Sequence, residues 1–561
     1  MSWNLIEKTR ETLEYEEGTI VKPWGGRITI AIVYPNLYHI GMSNLGFHTI
    51  YYHLNHHPNV LCERVFLPGK EESRMHINTN TALFTMESQK PLQLFDIVAF
   101  SISFENDSLN ILKILDLAKI PLKREERDNG YPLIIAGGIV PSLNPEPISD
   151  FIDLFVIGEG EEILPEFVEA YREGADKGCQ KEEILKSMNT IEGVYVPMCY
   201  SVDYKTDGTI REFKPKEGLL KKTKKRWVKR IDKFRTHSSV LTPNTEFGNM
   251  FLVEISRGCK WRCRFCVTGF ICHPYRKREL ENLSDTVAHG LKKREKIGLI
   301  GADISSHPDL SELCESITNS HGKVSFASLR ADSLNDRIMK WLGLSGHKTI
   351  SIAPEVGSER LRRVINKRMT EEDILEAVET VVRNDILNIK LYFLIGLPTE
   401  TLNDVEEIIH ITKRIKHHIL KISKGKKRIG RLILSINSFV PKPFTPFQWH
   451  PFEDTKSLNN KLKIIRNGLK KEGNVHIISD LPKWSYVQSL LSRGDRRVGR
   501  IILSAYESGG DWKKSFQETD VNPDFYVYRQ RSYEEIFPWD FIDHGTNKDR
   551  LFQEYQEALE Q

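Results

Sequence analysis

The chain has 561 residues, of which 40% are hydrophobic and 28% charged. Those proportions exclude a disordered or collagen-like chain, and the length calls for about two to four domains, each with its own core. The net charge of +4 gives no general attraction to polyanions such as DNA, eight cysteines are too few for a disulfide framework, and no apolar run approaches the ~20 residues of a membrane span. The amino terminus has no basic segment leading into an apolar one, so a cytoplasmic protein with no membrane partner is expected.

Residues 1–26 read as an extension. Over residues 27–175 the short apolar runs ITIAIVY, DIVAFSISF, PLIIAGG and DLFVIGEG alternate with amphipathic stretches. This pattern predicts a Rossmann-like, flavodoxin-like parallel sheet covered by helices on both faces. Ligands of such sheets bind at the carboxyl ends of the strands, here residues 36–46, 101–106, 137–138 and 158–161. Residues 176–247 form a connector containing a hairpin with an Asp-Gly turn. Over residues 248–452 six strand patterns, from FLVEIS to RLILSINSFV, alternate with helical ones and predict a βα barrel. One of its helices opens with Thr370 as N-cap and Asp373 three residues on. Residues 453–561 read as a smaller α-rich region without a strand ladder.

Cys259, Cys263 and Cys266 are spaced C-x3-C-x2-C directly after FLVEIS. Three thiolates satisfy three irons of a [4Fe–4S] cubane and leave the fourth open to an exogenous ligand. Zinc wants four N/S ligands, normally from two separated pairs, and although Cys272 and His273 lie close by, the spacing fits no common zinc module. Buried apolar cysteines would not be flanked by Lys260, Arg262 and Arg264.

This loop resembles the signature of the radical S-adenosylmethionine (SAM) superfamily, and its setting resembles the subgroup with an amino-terminal cobalamin-binding domain. The resemblance implies that the open iron chelates SAM and that an electron from the cluster cleaves it to methionine and a 5′-deoxyadenosyl radical. It also implies an electron donor such as flavodoxin or ferredoxin. By the same resemblance Phe265 borders the adenine, Gly301 and Asp303 occupy the place of the Gly-Gly-Glu that meets the SAM amino group, Glu355 lies near the ribose, and Gly396 lets backbone approach adenine. Read from the residues alone, Glu355 is a helix-terminal acid and Gly396 an ordinary strand–helix turn.

In the first domain the resemblance assigns Tyr38, Gly41, Ser101, Ser103, Gly137, Gly138 and Gly158 to a cobalamin cavity. The family's Asp-x-His-x-x-Gly motif aligns with residues 36–41, where Asn36 replaces the aspartate and Tyr38 the histidine. No protein imidazole is therefore expected on cobalt, and His39 should face away. The plainer alternative is a flavodoxin-like domain whose glycines serve turns. Two basic stretches, residues 221–235 and 413–431, could meet RNA phosphates, but neither interleaves aromatics, which favours solvated faces. SRGDRR at 492–497 reads as an anion clamp or an ion-pair network, and FVPKPFTPFQW as a cap over the site or as packing. The expected function is radical-SAM methyl transfer to an unactivated carbon with cobalamin. The alternatives are cobalamin-independent modification of a small molecule or RNA, and a non-catalytic iron–sulfur sensor.

Overall fold

The computed structural model describes residues 2–326, 329–423 and 430–561. In the first domain β1 (Ile28–Tyr34), β2 (Val60–Phe66), β3 (Ile97–Ser101), β4 (Leu133–Gly137), β5 (Leu154–Val156) and β6 (Val194–Tyr195) form one sheet in the order β2-β1-β3-β4-β5-β6. All neighbours pair in parallel except β5 with β6. Every residue of β2 and all but Ile28 of β1 are buried, because helices cover both faces of the sheet. The order reverses between β1 and β3, which opens a crevice at the carboxyl ends of those strands.

The expected hairpin is β7 (Tyr200–Tyr204) with β8 (Ile210–Pro215), joined across Asp207 and Gly208. The connector also holds β9 (Thr223–Lys224). The second domain then contributes β10 (Met250–Glu254), β11 (Ser256–Arg257), β12 (Arg276–Lys277), β13 (Lys296–Ile300), β14 (Lys323–Phe326), β15 (Thr349–Glu355), β16 (Asn388–Ile395) and β17 (Leu432–Ser438). All six predicted strand patterns are present, and Thr370 and Asp373 form the expected capping box.

One expectation fails beyond them. Val475–Ser479, assigned to a region without strands, is β18 and pairs in parallel with β17. It is an edge strand with His476 and Ile478 exposed, so it lacks the continuous apolar run that marks a buried strand. The order is β10-β13-β14 in one sheet and β15-β16-β17-β18 in the other, and a parallel bridge from Leu329 to Ile352 links them.

The remaining helices fasten the two domains together. A short strand β19 (Ile542–Asp543) pairs with β9, Arg496 pairs with Glu146 at 2.9 Å, and Asn144 donates to the carbonyls of Ser492 and Gly494. SRGDRR is thus an ion-pair network, with Arg497 on Asp495 as its second pair. FVPKPFTPFQW is packing: Phe447 and Trp449 are fully buried, and Trp449 meets Phe552 and Tyr555 of the last helix. Of the basic stretches, Lys225 is buried and Arg226 pairs with Glu166, while Arg414 pairs with Glu371 and Lys416 with Glu472. Residues 424–429 of the second stretch lie outside the described residues.

The extension is tied down by Arg64 of β2, which is buried and reaches Glu16 at 2.6 Å and Glu87 at 2.7 Å. Burial pushes Glu16 up, yet the Arg64 charge and its hydrogen bonds outweigh that and hold the carboxyl below its ordinary value. Removing one partner of such a pair strands the other charge, so Glu16→Ala should cost about 3–5 kcal/mol of first-domain stability, read as a lower urea midpoint. An unchanged midpoint would show that the extension is not anchored there.

Candidate functional site between the two sheets

The cysteine loop follows β10 and β11. Gly258 turns it at φ +82°, and a Cβ there would lie 2.4 Å from the Cys272 carbonyl, so only glycine fits. Within the loop Arg264 donates its backbone N–H to Ile365 O and its guanidinium to Val364 O, at the end of the helix Glu359–Val364, and also reaches Glu557 of the last helix. Asn366 donates to Arg262 O. The loop is therefore held from two sides, although the spacing of the cysteines says nothing of either.

Burial raises the thiols of Cys259 and Cys263, the latter to about 11, while the Lys367 charge pulls Cys263 partly back. Metal binding must remove those protons, so cations nearby favour it. Among the described residues no three His, Cys, Asp or Glu side chains converge on one ion, and a cubane does not ask for that, because each thiolate bonds its own iron.

Around the loop the structure gathers several predicted residues. Asp303 is 4% exposed, accepts from Ser305 Oγ through Oδ1, and leaves Oδ2 buried without a partner. Its charge acts on Cys259, and that of Glu355 on Cys263. Glu355 is not a helix-terminal acid. It ends β15 at φ +67°, and Lys367 Nζ donates to its Oε1 at 2.9 Å. Gly301 sits against Ser256, whose Oγ would lie 2.7 Å from an added Cβ. Phe265 is half-buried against the core. Gly396 has φ +85°, donates its N–H to Glu400 Oε1, and would clash with Leu458 if enlarged, so its backbone conformation and the packing of the helix Thr455–Leu469 explain it. Sequence reasoning missed Lys367 and also Arg330, which acts on Cys259 and Cys263 and stacks over Trp261 at 3.8 Å.

A cavity of about 570 Å³ lies between the two sheets, within the ~300–1,000 Å³ usual for small-molecule sites. Ser101, Ser103, Gly137, Gly138 and Gly158 line one side, and Leu252, Ile271, Cys272 and Ile300 line the side of the cysteine loop. Tyr38 and Gly41 are not there, which corrects their assignment. The Tyr38 hydroxyl donates to Glu16 Oε1 at 2.6 Å, and a Cβ on Gly41 would strike the Phe66 ring at 2.5 Å. Glu16 lies in the extension, so the residues 36–41 alone could not reveal this. His39 faces Glu246 at 3.4 Å. Among the glycines, Gly138 and Gly158 have φ of +109° and +112° and press on the carbonyls of Ile102 and Arg226. Gly137 has neither constraint: an added Cβ would meet only Val156, at 3.6 Å.

The wall where the domains meet is charged. Arg257 reaches Glu159 at 3.0 Å, Glu161 at 2.7 Å and Glu254 at 2.9 Å, while Arg276 takes Glu159 and Arg278 takes Glu254. Burial pushes Glu159 and Glu254 upward, yet these guanidinium groups outweigh it and hold both below the ordinary carboxylate value.

Comparison with known proteins agrees with this architecture. The family described as Radical SAM proteins, N-terminal, matches residues 46–197, and the Radical SAM superfamily matches residues 253–411. An uncharacterized protein of Methanocaldococcus jannaschii, MJ0966, is 31% identical over 481 residues, covering 84% of this chain and 90% of that one. The chain therefore belongs to the radical SAM superfamily, whose members use a [4Fe–4S] cluster and SAM. An uncharacterized methyltransferase of Pyrococcus horikoshii, PH0819, is 25% identical over 314 residues, 51% of this chain and 59% of that one. The chain spans about half the length of the curated relatives with assigned activities that it matches. A solved structure of the radical SAM methyltransferase TsrM from Kitasatospora setae, with cobalamin and a [4Fe–4S] cluster bound, is 13% identical, covers 95% of this chain and 100% of that one, and has a TM-score of 0.49. No helix among the described residues is long and apolar enough to cross a membrane.

The charged wall predicts a pH response. Carboxylates held below their ordinary value stabilise the fold fully above about pH 4.5 and lose that contribution as the pH falls through their folded values. Arg257→Gln removes the central cation, the buried carboxyls rise, and the acid-unfolding midpoint followed by tryptophan fluorescence should move to higher pH. An unmoved midpoint would show that the wall is not electrostatically held.

Proposed function

We propose that this chain is a cobalamin-dependent radical SAM enzyme that transfers a methyl group to an unactivated carbon. The observation that carries the reading is the shared cavity: its lining runs from Ser101 and Gly137 on the first sheet to Cys272 beside the cysteine loop. Two cofactors bound at opposite sides of it would face one substrate. Cys259, Cys263 and Cys266 would hold the cluster, and the unpartnered Asp303 Oδ2 suits the SAM ammonium. Lys367, bonded to Glu355 Oε1, would hold that carboxylate toward the ribose hydroxyls. When bound, the cluster supplies the electron that cleaves SAM, and cobalamin the methyl group to be transferred. On the side of the first sheet, Ser101 and Ser103 offer hydroxyls, and Gly137 leaves space the fold itself does not require. With Tyr38 turned to Glu16 and His39 to Glu246, the loop after β1 offers no imidazole to cobalt. An electron donor such as flavodoxin or ferredoxin in the cytoplasm completes the scheme.

A second reading keeps the radical chemistry and gives the first domain to recognition of a small molecule or RNA. It is favoured by Gly138 and Gly158, whose backbone conformations the fold alone explains.

Anaerobically reconstituted protein should carry one oxygen-labile [4Fe–4S] cluster whose EPR signal changes with SAM, and Cys259→Ala, Cys263→Ala or Cys266→Ala should lose the iron. Stoichiometric zinc without iron would sink the proposal. Asp303→Ala and Glu355→Ala should keep the iron and bind SAM roughly ten- to a hundredfold more weakly, as expected for a lost hydrogen bond to a charged group. Unchanged affinity in both would misplace the SAM pocket. Failure of the full chain to bind hydroxocobalamin would leave the second reading.

A further inference from the structure

His544 comes from the helical region after the second domain, yet it lines the same cavity, 8% exposed. Its Nε2 lies 2.7 Å from the carbonyl of Ser142, and a carbonyl only accepts, so Nε2 carries the proton. Ser142 in turn holds the floor of the cavity: its hydroxyl donates to Gly138 O and accepts from Gly158 N–H. The edge of Phe444 against the imidazole, with centroids 4.5 Å apart, fixes the ring plane. Burial pushes the imidazole down to about 3, so it is neutral at any physiological pH. Nδ1 is then a lone-pair acceptor, and it is buried without a partner. The nearby Lys225 does not serve it: its ammonium is directed at the carbonyls of Ile271 and His273. The charge of Lys225 also disfavours a cationic ligand there.

A neutral acceptor beside a buried ammonium suits a neutral N–H donor. We propose that His544 Nδ1 accepts a hydrogen bond from a primary carboxamide of the cavity's ligand and, resting on the cobalamin reading above, that this carboxamide is one at the edge of the corrin ring. The C-terminal region thereby becomes part of the cofactor site, and His544 recognises the corrin without ligating cobalt.

Two substitutions separate the ring nitrogens. His544→Gln places an amide where Nε2 stood, keeping the bond to Ser142 O and losing the Nδ1 acceptor. His544→Asn places its carbonyl where Nδ1 stood and loses the bond to Ser142. Hydroxocobalamin binding to the reconstituted full-length protein, measured by equilibrium dialysis, should weaken roughly three- to tenfold in His544→Gln and stay near wild type in His544→Asn. Equal binding by all three proteins overturns the proposal, as does the opposite order, which would reduce His544 to a support for Ser142. If His544→Gln fails to fold by circular dichroism, weakened binding in a folded His544→Asn overturns it, and wild-type binding there supports it. A 15N coupling of the size of direct coordination, in EPR of the Co(II) form made with labelled histidine, overturns it in favour of cobalt ligation. Absence of binding by the wild type overturns the cobalamin reading itself, a result distinct from the others.

Discussion

Arg257 is largely buried among three glutamates, and the chain can bury it only if three places in the sequence come together. Glu159 caps and Glu161 opens the helix after β5 (Gly160–Asp176), Glu254 ends β10, and Arg257 immediately precedes the turn at Gly258 into the cysteine loop. Desolvating this many charges is costly, and attraction offsets the loss only where every partner is in place. Arg276 completes that balance by taking the Glu159 Oε1 that Arg257 leaves free, and Arg278 shares Glu254 Oε2 with Arg257. The network therefore acts as a register between the domains: a shift of either one would strand buried charge. The cavity and the position of the cysteine loop against the first sheet both depend on it.

The cysteine loop is correspondingly over-determined. Arg257 holds its start, Asn366 and the carbonyls of Val364 and Ile365 hold its middle, and Glu557 reaches Arg264 from the last helix. Thiols that are to share one inorganic cluster, as proposed above, gain from such fixing, because burial by itself favours the protonated forms of Cys259 and Cys263. Lys367 and Arg330 supply the positive charge that opposes this.

The region after the second domain does more than cap it. It supplies β18 to the sheet, β19 to the connector, Arg496 to Glu146, and His544 to the cavity wall. A chain in which each segment completes another's site gains specificity from the same contacts that give stability.

What the amino-acid sequence determined by itself was whatever depends on local spacing and period. The continuous apolar runs of β1, β3, β4 and β5 called for a parallel sheet covered on both faces, the C-x3-C-x2-C spacing pointed to a shared inorganic ligand, and Thr370 with Asp373 announced a helix start. Ser101, Ser103, Gly137, Gly138 and Gly158 were legible as cavity residues because strand ends of such sheets converge. The tertiary structure alone decided where single side chains point. Tyr38 turns to Glu16 because an extension 22 residues upstream packs there. Asn366 reaches the carbonyl of Arg262 across 104 residues of chain, and His544 reaches Ser142 across 402. No local pattern encodes such encounters, since they follow from which buried polar groups find partners once the layers have closed.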